Sequence, residues 1–440
     1  MEANSPSADG RSKFTLFQRT LPRWVLLSLL LLALVVRARF MLSMSQTLQA
    51  DPDLYRELSW NVYLHRTFGV ESDGTLWPTA FRPPLYPLVL SILHWFPEHD
   101  YYGEGIMHVV MGVVTVWAAW RVGLAWGLPP GGAILAAALV TIDPILLNQS
   151  VHLMTETFAA MLSTLTLLVM ARAAREDSSA WSLGAGALLG LCGLCRPTFL
   201  VWLVAASVAW PVMISQGRTA LRSALLVLGA VVVLTPWVAR NAMVFHRPIV
   251  TTTHGGYTLL LGNNPDFYEF LRSGAWGSLW DAREFNARHH DGLPALWGPS
   301  ESLSDQVNYE EAWQNICSEP AMFAYSCLVR EGRLWAVLPH ALSPNEAPSR
   351  RGLRYAAAVF YLFEFSLAVC GVWFWRKQLV QSPMVWGLLL VLSFMAVHAL
   401  YWTDLRMRAP LAVPIAIAAA CGLLGWLPSK HGATPVADDA

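Results

Sequence analysis

Charge is scarce in this sequence: Asp, Glu, Lys and Arg together make up 14% of 440 residues, where a soluble domain normally carries about a quarter. That shortage excludes an ordinary soluble globule. Positive and negative charges cancel exactly to a formal net of zero, so the balance points neither to nucleic acid nor to a polybasic lipid anchor. Metal-ligand patterns are also missing. Of six cysteines, Cys192-x-x-Cys195 has no second pair and no neighbouring histidines to complete a zinc site. His254, His289 and His290 sit in polar loop sequence without a ligand set around them. Internal repeats and inverted symmetry between halves are absent, which weighs against a transporter built from paired halves. What is abundant is apolar: 55% of residues are hydrophobic and 21 are Trp. The class these numbers define is a polytopic membrane protein.

Crossing about 30 Å of hydrocarbon takes about 20 apolar residues. The sequence predicts about ten crossings, over 21–42, 105–126, 130–148, 151–171, 181–195, 197–214, 219–238, 354–375, 383–402 and 408–427. The fifth and sixth are short and meet at Arg196-Pro197 as a hairpin. Lys and Arg favour cytoplasmic loops. Arg11, Lys13, Arg19, Arg23, Arg121, Arg172, Arg175, Arg218, Arg222, Arg376, Lys377 and Lys430 all fall on one side of this arrangement. Both termini are therefore expected in the cytoplasm and two large segments, 43–104 and 239–353, outside it. The expected organisation is a disordered tail at 1–12, an N-terminal membrane module over 13–241 that includes the first outer loop, a large outer loop or small domain at 242–353, membrane helices over 354–428, and a tail at 429–440.

Loops of this length are expected to be structured. In the first, Asp51 is placed to N-cap a helix with Pro52 at its first position, and Leu54, Leu58, Val62 and His65 follow at helical spacing. The stretch "RPPLYPLVLSILHWF" reads as an apolar helix lying along the membrane surface. In the second, 242–305 reads as a compact irregular lid or small domain, followed by a further surface helix over "YEEAWQNICSEPAMFAYSCLVREGRLWAVLPH". Cys317 and Cys327 lie in this loop, and their spacing does not decide whether they pair.

An ionisable group inside a span costs roughly 3 kcal/mol and asks for a reason. Glu156 is expected about one turn into span four, where His152 is a candidate partner; Arg196 sits at the hairpin tip; Arg240-Asn241 closes span seven; Asp404, Arg406 and Arg408 mark the mouth of the last two spans. All fall at one face, level with Asp51, Asp53 and Arg82. Each has a plain structural alternative: Asp51 as a helix cap, Asp53 as a first-turn acid favoured by the helix dipole, and the arginines as side chains snorkelling to water. Carboxylates and arginines gathered at one membrane surface also suit an anionic headgroup and acid-base chemistry. Asp51-Pro52-Asp53 matches the Asp-x-Asp element by which nucleotide-sugar transferases hold a metal, but no strand-helix alternation or Gly-rich phosphate loop surrounds it.

Taken in order, "DPDLY", "FRPPLYP", "TET" around Glu156, "GLCGLCRPT", "TPWVARN", "GGYTLLLGNNP" and "DLRMRAPL" resemble the motifs of the integral-membrane glycosyltransferases of GT-C architecture. The similarity is to the bacterial branch akin to protein O-mannosyltransferases and aminoarabinose transferases, families 39 and 83, and runs over residues 25–425. Where aminoarabinose transferases have Glu-Lys-Pro, this chain has Phe81-Arg82-Pro83, and Met407 stands between Arg406 and Arg408 where relatives often place Tyr. The resemblance implies an all-α bundle with surface helices outside the membrane. It also implies a sugar donor on a polyprenyl phosphate, used at the extracytoplasmic face of the cytoplasmic membrane, with Asp51 matching the catalytic acid.

The residues suit that chemistry in their own right. Moving a sugar from a lipid phosphate to a hydroxyl or amine requires a base for the acceptor proton, and Asp51 is the candidate. Back-side attack with one base predicts inversion. Arg82, Arg196, Arg240, Arg406 and Arg408 are the candidates to stabilise the leaving phosphate. Asn263 and Asn264 are placed to position the sugar; Asp53, Tyr55, Glu156, Asn241 and Asp404 support the site. No cofactor is required, and no ligand set supports a divalent metal. Expected partners are the lipid-linked donor, a lipid, polysaccharide or protein acceptor, and membrane lipids, with no nucleic acid. The rival readings are a flippase of lipid-linked sugars, and a glycan ligase using a polyprenyl diphosphate.

Overall fold

The computed structural model describes residues 22–96, 101–176, 178–214, 219–274, 278, 280–291, 297–341 and 346–425. The expected tails at 1–12 and 429–440, the basic residues Arg11, Lys13, Arg19, Arg218 and Lys430, and the side chains of His289 and His290 lie outside the described residues.

The chain folds as an all-α polytopic membrane protein. Helix α1 (Arg23–Ser43) leads to the first loop, which holds α2 (Tyr55–His65), the strands β1 (Gly69–Ser72) and β2 (Thr75–Pro78), and α3 (Leu85–Ser91) with a 3-10 turn through Trp95. The next elements are α4 (Tyr101–Ala125), α5 (Pro130–Ile142), α6 (Pro144–Gln149), α7 (Glu156–Arg175), α8 (Ser179–Cys195), α9 (Phe199–Met213) and α10 (Thr219–Phe245). The second loop carries α11 (Gly255–Gly262), α12 (Pro265–Ser273), α13 (Arg283–Asp291), α14 (Glu301–Ser318) and α15 (Pro320–Leu334). Finally come α16 (Pro348–Leu379), α17 (Val385–Leu400), a 3-10 segment over Leu405–Leu411 and α18 (Ala412–Gly425).

Among the described residues, six helical stretches are long and apolar enough to cross a membrane: α1, α4, α7, α10, α16, and Leu405–Gly425, which includes α18. The shorter apolar helices α5, α8, α9 and α17 cover the remaining expected crossings. The span expected over 130–148 is broken, because Asp143 accepts a 2.8 Å bond from Leu146 N with Pro144 next to it, the signature of a new helix start. Close helix packing rests on glycine. A Cβ added at Gly371 of α16 would lie 1.9 Å from the Ala418 carbonyl of α18, and one at Gly422 would lie 1.9 Å from the Leu367 carbonyl. Gly186 of α8 and Gly229 of α10 meet in the same reciprocal way. Small residues let backbones approach where lipid offers no hydrophobic drive between helices.

The apolar helix expected from "RPPLYPLVLSILHWF" is present as α3 and its 3-10 extension, with Leu88, Ile92 and Trp95 exposed. Three sequence expectations for the loops change. The helix after Asp51 starts at Tyr55, not Pro52, because Leu54 is left-handed (φ 61°) and interrupts the chain direction. A two-stranded hairpin follows it, closed by Asp73 and Gly74, both at positive φ. The segment read as an irregular lid carries helices, and the single helix expected after it is two, divided at Glu319-Pro320. Cys317 and Cys327 are both free thiols.

Candidate active site

Asp51 lies in the turn between α1 and α2. Its Oδ2 accepts from the first-turn amides of α2, Arg56 N at 2.9 Å and Glu57 N at 3.1 Å. Its Oδ1 is buried with no hydrogen-bond partner among the described residues. Burial raises the affinity of this carboxyl for a proton, the amide bonds and the Arg56 charge oppose that, and the net shift is upward. Arg56 does not occupy the open oxygen. Its guanidinium forks onto Glu104 of α4, Nε to Oε1 at 2.8 Å and Nη2 to Oε2 at 2.5 Å, and also donates to the carbonyls of Leu48 and Gln49. Glu104 is buried at the start of an apolar helix, a placement visible in "YYGEGIMHVV" but not singled out from sequence.

A layer of charge pairs adjoins Asp51. Asp53 pairs with Arg82 at 2.6 Å, and the guanidinium of Arg82 lies over Phe81 at 4.3 Å and Tyr55 at 5.7 Å. Buried Glu156, the first residue of α7, is 3.2 Å from Arg196 and 3.7 Å from Arg406, which also binds Asp404 at 3.0 Å. The expected start of that span one turn earlier does not hold. His152 bonds to Asn148 O instead of Glu156. Tyr55 connects the two pairs: it is buried and lies within electrostatic reach of Arg82, Asp53, Glu156 and Arg196. Its ring meets Tyr86 edge-on at 5.1 Å, and Tyr86 is 2.7 Å from His108 Nε2. Because the Ser150 carbonyl can only accept, His108 Nδ1 carries the proton and Nε2 accepts from Tyr86.

The other expected site residues are arranged differently. Arg240 donates to the Thr79 and Phe68 carbonyls and to Asn241 Oδ1, each at 2.8–2.9 Å, so it clamps the open end of the hairpin instead of offering free donors to a phosphate. Asn241 in turn binds the Ile249 carbonyl. Arg408 is buried, donates to the Leu334 and Ala336 carbonyls, and lies over Tyr361 and Phe365 at 4.4 and 4.7 Å. Asn263 and Asn264 are fully buried. Asn264 caps α12, and Asn263 bonds to the Leu259 and Leu400 carbonyls, so neither amide faces a sugar.

Two features escaped sequence reading. Glu301 is a buried carboxylate joining the two loops: Oε2 accepts from the Thr79 hydroxyl at 2.6 Å, and Oε1 from Ala80 N at 2.8 Å and from the Thr253 hydroxyl. Its proton affinity is also raised by burial. Arg330 grips the carbonyls of Ala399 and Gly262. Neither has a local motif: Glu301 reaches 222 and 221 residues back to Thr79 and Ala80, and Arg330 reaches 69 and 68 residues to Ala399 and Gly262. Among the described residues, no group of three or more His, Cys, Asp or Glu is gathered to hold a metal.

Helices in this order, with charged pairs collected beside the first loop, form a fold shared with a solved membrane glycosyltransferase. Residues 82–239 match the family model described as dolichyl-phosphate-mannose-protein mannosyltransferase, a stretch that includes Arg82, Glu156 and Arg196. The archaeal oligosaccharyltransferase AglB from Archaeoglobus fulgidus, solved with an inhibitory peptide and a dolichol-phosphate, is similar at a TM-score of 0.54 and 16% identity, over 91% of this chain and 50% of that one. The same organism's enzyme tethered to an acceptor peptide gives 0.51 and 14%, over 91% and 49%. ArnT from Cupriavidus metallidurans bound to undecaprenyl phosphate gives 0.38 and 14%, over 91% and 77%. None of the curated proteins matches significantly. The chain spans about half the length of the oligosaccharyltransferases, and its resemblance is to GT-C glycosyltransferases of the protein mannosyltransferase kind.

Proposed function

We propose that this protein is a membrane glycosyltransferase that moves a sugar from a polyprenyl-phosphate donor to an acceptor hydroxyl or amine. It works at the extracytoplasmic face of the cytoplasmic membrane. The observation that carries the reading is the half-occupied carboxylate of Asp51: Oδ2 is fixed by helix amides while Oδ1 is buried and open. A base so held is oriented without losing its acceptor site. In the reaction the acceptor atom attacks the anomeric carbon from behind as Asp51 takes its proton. The bond from that carbon to the phosphate oxygen breaks, the phosphate leaves with the electron pair, and the sugar carbon inverts.

Charge on the departing phosphate is offset by Arg82, Arg196 and Arg406. Each is already oriented by a carboxylate partner: Asp53, Glu156, and Asp404 with Glu156 respectively. Preoriented guanidiniums in a partly dry site stabilise developing charge without reorganising. Arg240 and Arg408 hold the surrounding backbone. The dolichol-phosphate bound to the solved archaeal oligosaccharyltransferase supports the donor class. Asp51→Asn tests the base: in proteoliposomes supplied with a polyprenyl-phosphate sugar, transfer should drop by about 100-fold or more with the melting temperature little changed. Transfer at the wild-type rate would remove Asp51 from the mechanism.

A further inference from the structure

A cavity of about 630 Å³ opens where α12, α15, residues 338–341 and the start of α16 meet. That volume suits a small ligand. Its wall is apolar at Phe270, Val329 and Leu338, and cationic at Arg333 and Arg354. The two arginines differ. Arg354 is neutralised by Glu346 at 3.0 Å and also donates to the Pro339 carbonyl. Arg333 lies over the rings of Phe267 and Trp402 at 5.4 and 5.5 Å, and has neither a carboxylate in ion-pair range nor a hydrogen-bond acceptor among the described residues. Burial and the like charge of Arg330 both disfavour its cation, and only Asp404 favours it. A half-buried guanidinium aligned by two rings, with its N–H groups unoccupied, is built to receive an anion.

The surroundings of the mouth indicate where that anion comes from. Leu353, Tyr355 and Val359 on α16, and Leu328 on α15, are exposed apolar side chains beside it. Over its most apolar window α16 is only 17% buried within the protein, so its free face meets hydrocarbon. We propose that the cavity binds the phosphate of an anionic membrane lipid, with Arg333 as the phosphate ligand and the acyl chains lying along α16. None of the residues lining this cavity belongs to the Asp51, Arg82 or Glu156 clusters, and the proposal does not depend on the transferase reading.

Native mass spectrometry of the full chain in detergent, titrated with short-chain phosphatidic acid, reads the binding directly without any turnover. One lipid should add per chain. Arg333→Gln should weaken that adduct about ten-fold or more, since charge-assisted bonds to phosphate are lost, and Arg333→Lys should recover part of it. Arg272→Gln, at an exposed arginine of α12 outside the cavity wall, should leave it unchanged. Undiminished lipid binding by folded Arg333→Gln overturns the proposal, as does inorganic phosphate binding as tightly as the lipid. If Arg333→Gln fails to fold, Val329→Trp fills the cavity instead: loss of the adduct supports the site and retention overturns it.

Discussion

Asp51 in the first loop is a half-buried carboxylate and Glu301 in the second a buried one, and burial raises the proton affinity of both. Their difference lies in what the oxygens do. Glu301 accepts from three donors across both oxygens, two of them 221 and 222 residues away. Asp51 uses one oxygen to hold its own helix and leaves the other open. Raised proton affinity is common to both and does not distinguish them; the open Oδ1 is the feature that sets the proposed base apart from Glu301.

That contrast can be broken at either end. The largest expected effect is the loss of transfer in Asp51→Asn; Glu301→Gln should keep most of its activity, and equal losses in both would erase the distinction. Next, Arg196→Gln should raise KM for the lipid donor about ten-fold while leaving protein abundance intact, measured in the same proteoliposome assay. An unchanged KM would assign Arg196 to the Glu156 pair alone. Glu301→Ala leaves Thr79, Ala80 and Thr253 donors without an acceptor, for a loss of about 2 kcal/mol; thermal melting should fall by several degrees. Transfer should also rise with pH as Asp51 ionises, with a midpoint above the ordinary aspartate value of about 3.9, and a midpoint at or below that value would deny the buried oxygen its role.

The smallest effect concerns Asp305, whose carboxyl accepts from Gly256 N at 2.7 Å and is pushed by burial from 3.8 to about 6. In that window the folded state holds a proton the unfolded chain has released. Stability contributed at low pH is thus lost as pH rises from about 4 to 6. Asp305→Asn should flatten that decline in melting temperature.

The spans were legible because long apolar runs have few folded alternatives, and the Arg196-Pro197 hairpin was legible from its proline. The break at Asp143-Pro144 carried the same kind of signal, but the surrounding hydrophobicity masked it. The hairpin at 69–78 announced itself only through Asp73-Gly74, whose left-handed pair makes a tight turn; strands of four residues are too short for alternation to stand out. Polar residues at the site were readable by type. Whether their hydrogen bonds were already occupied was not: Arg240 and Asn263 look as available as Arg196 in the sequence, and only distant carbonyls from Phe68, Thr79 and Leu400 decide otherwise.

Arg240 also gives α10 mechanical reach. From the far end of a helix with much of its surface open to lipid, it grips both feet of the β-hairpin, and the chain runs from that hairpin within a few residues to Arg82. Through these two bonds the C-terminal end of α10 and the stretch leading to Arg82 are pinned to one another, so neither can be repositioned alone.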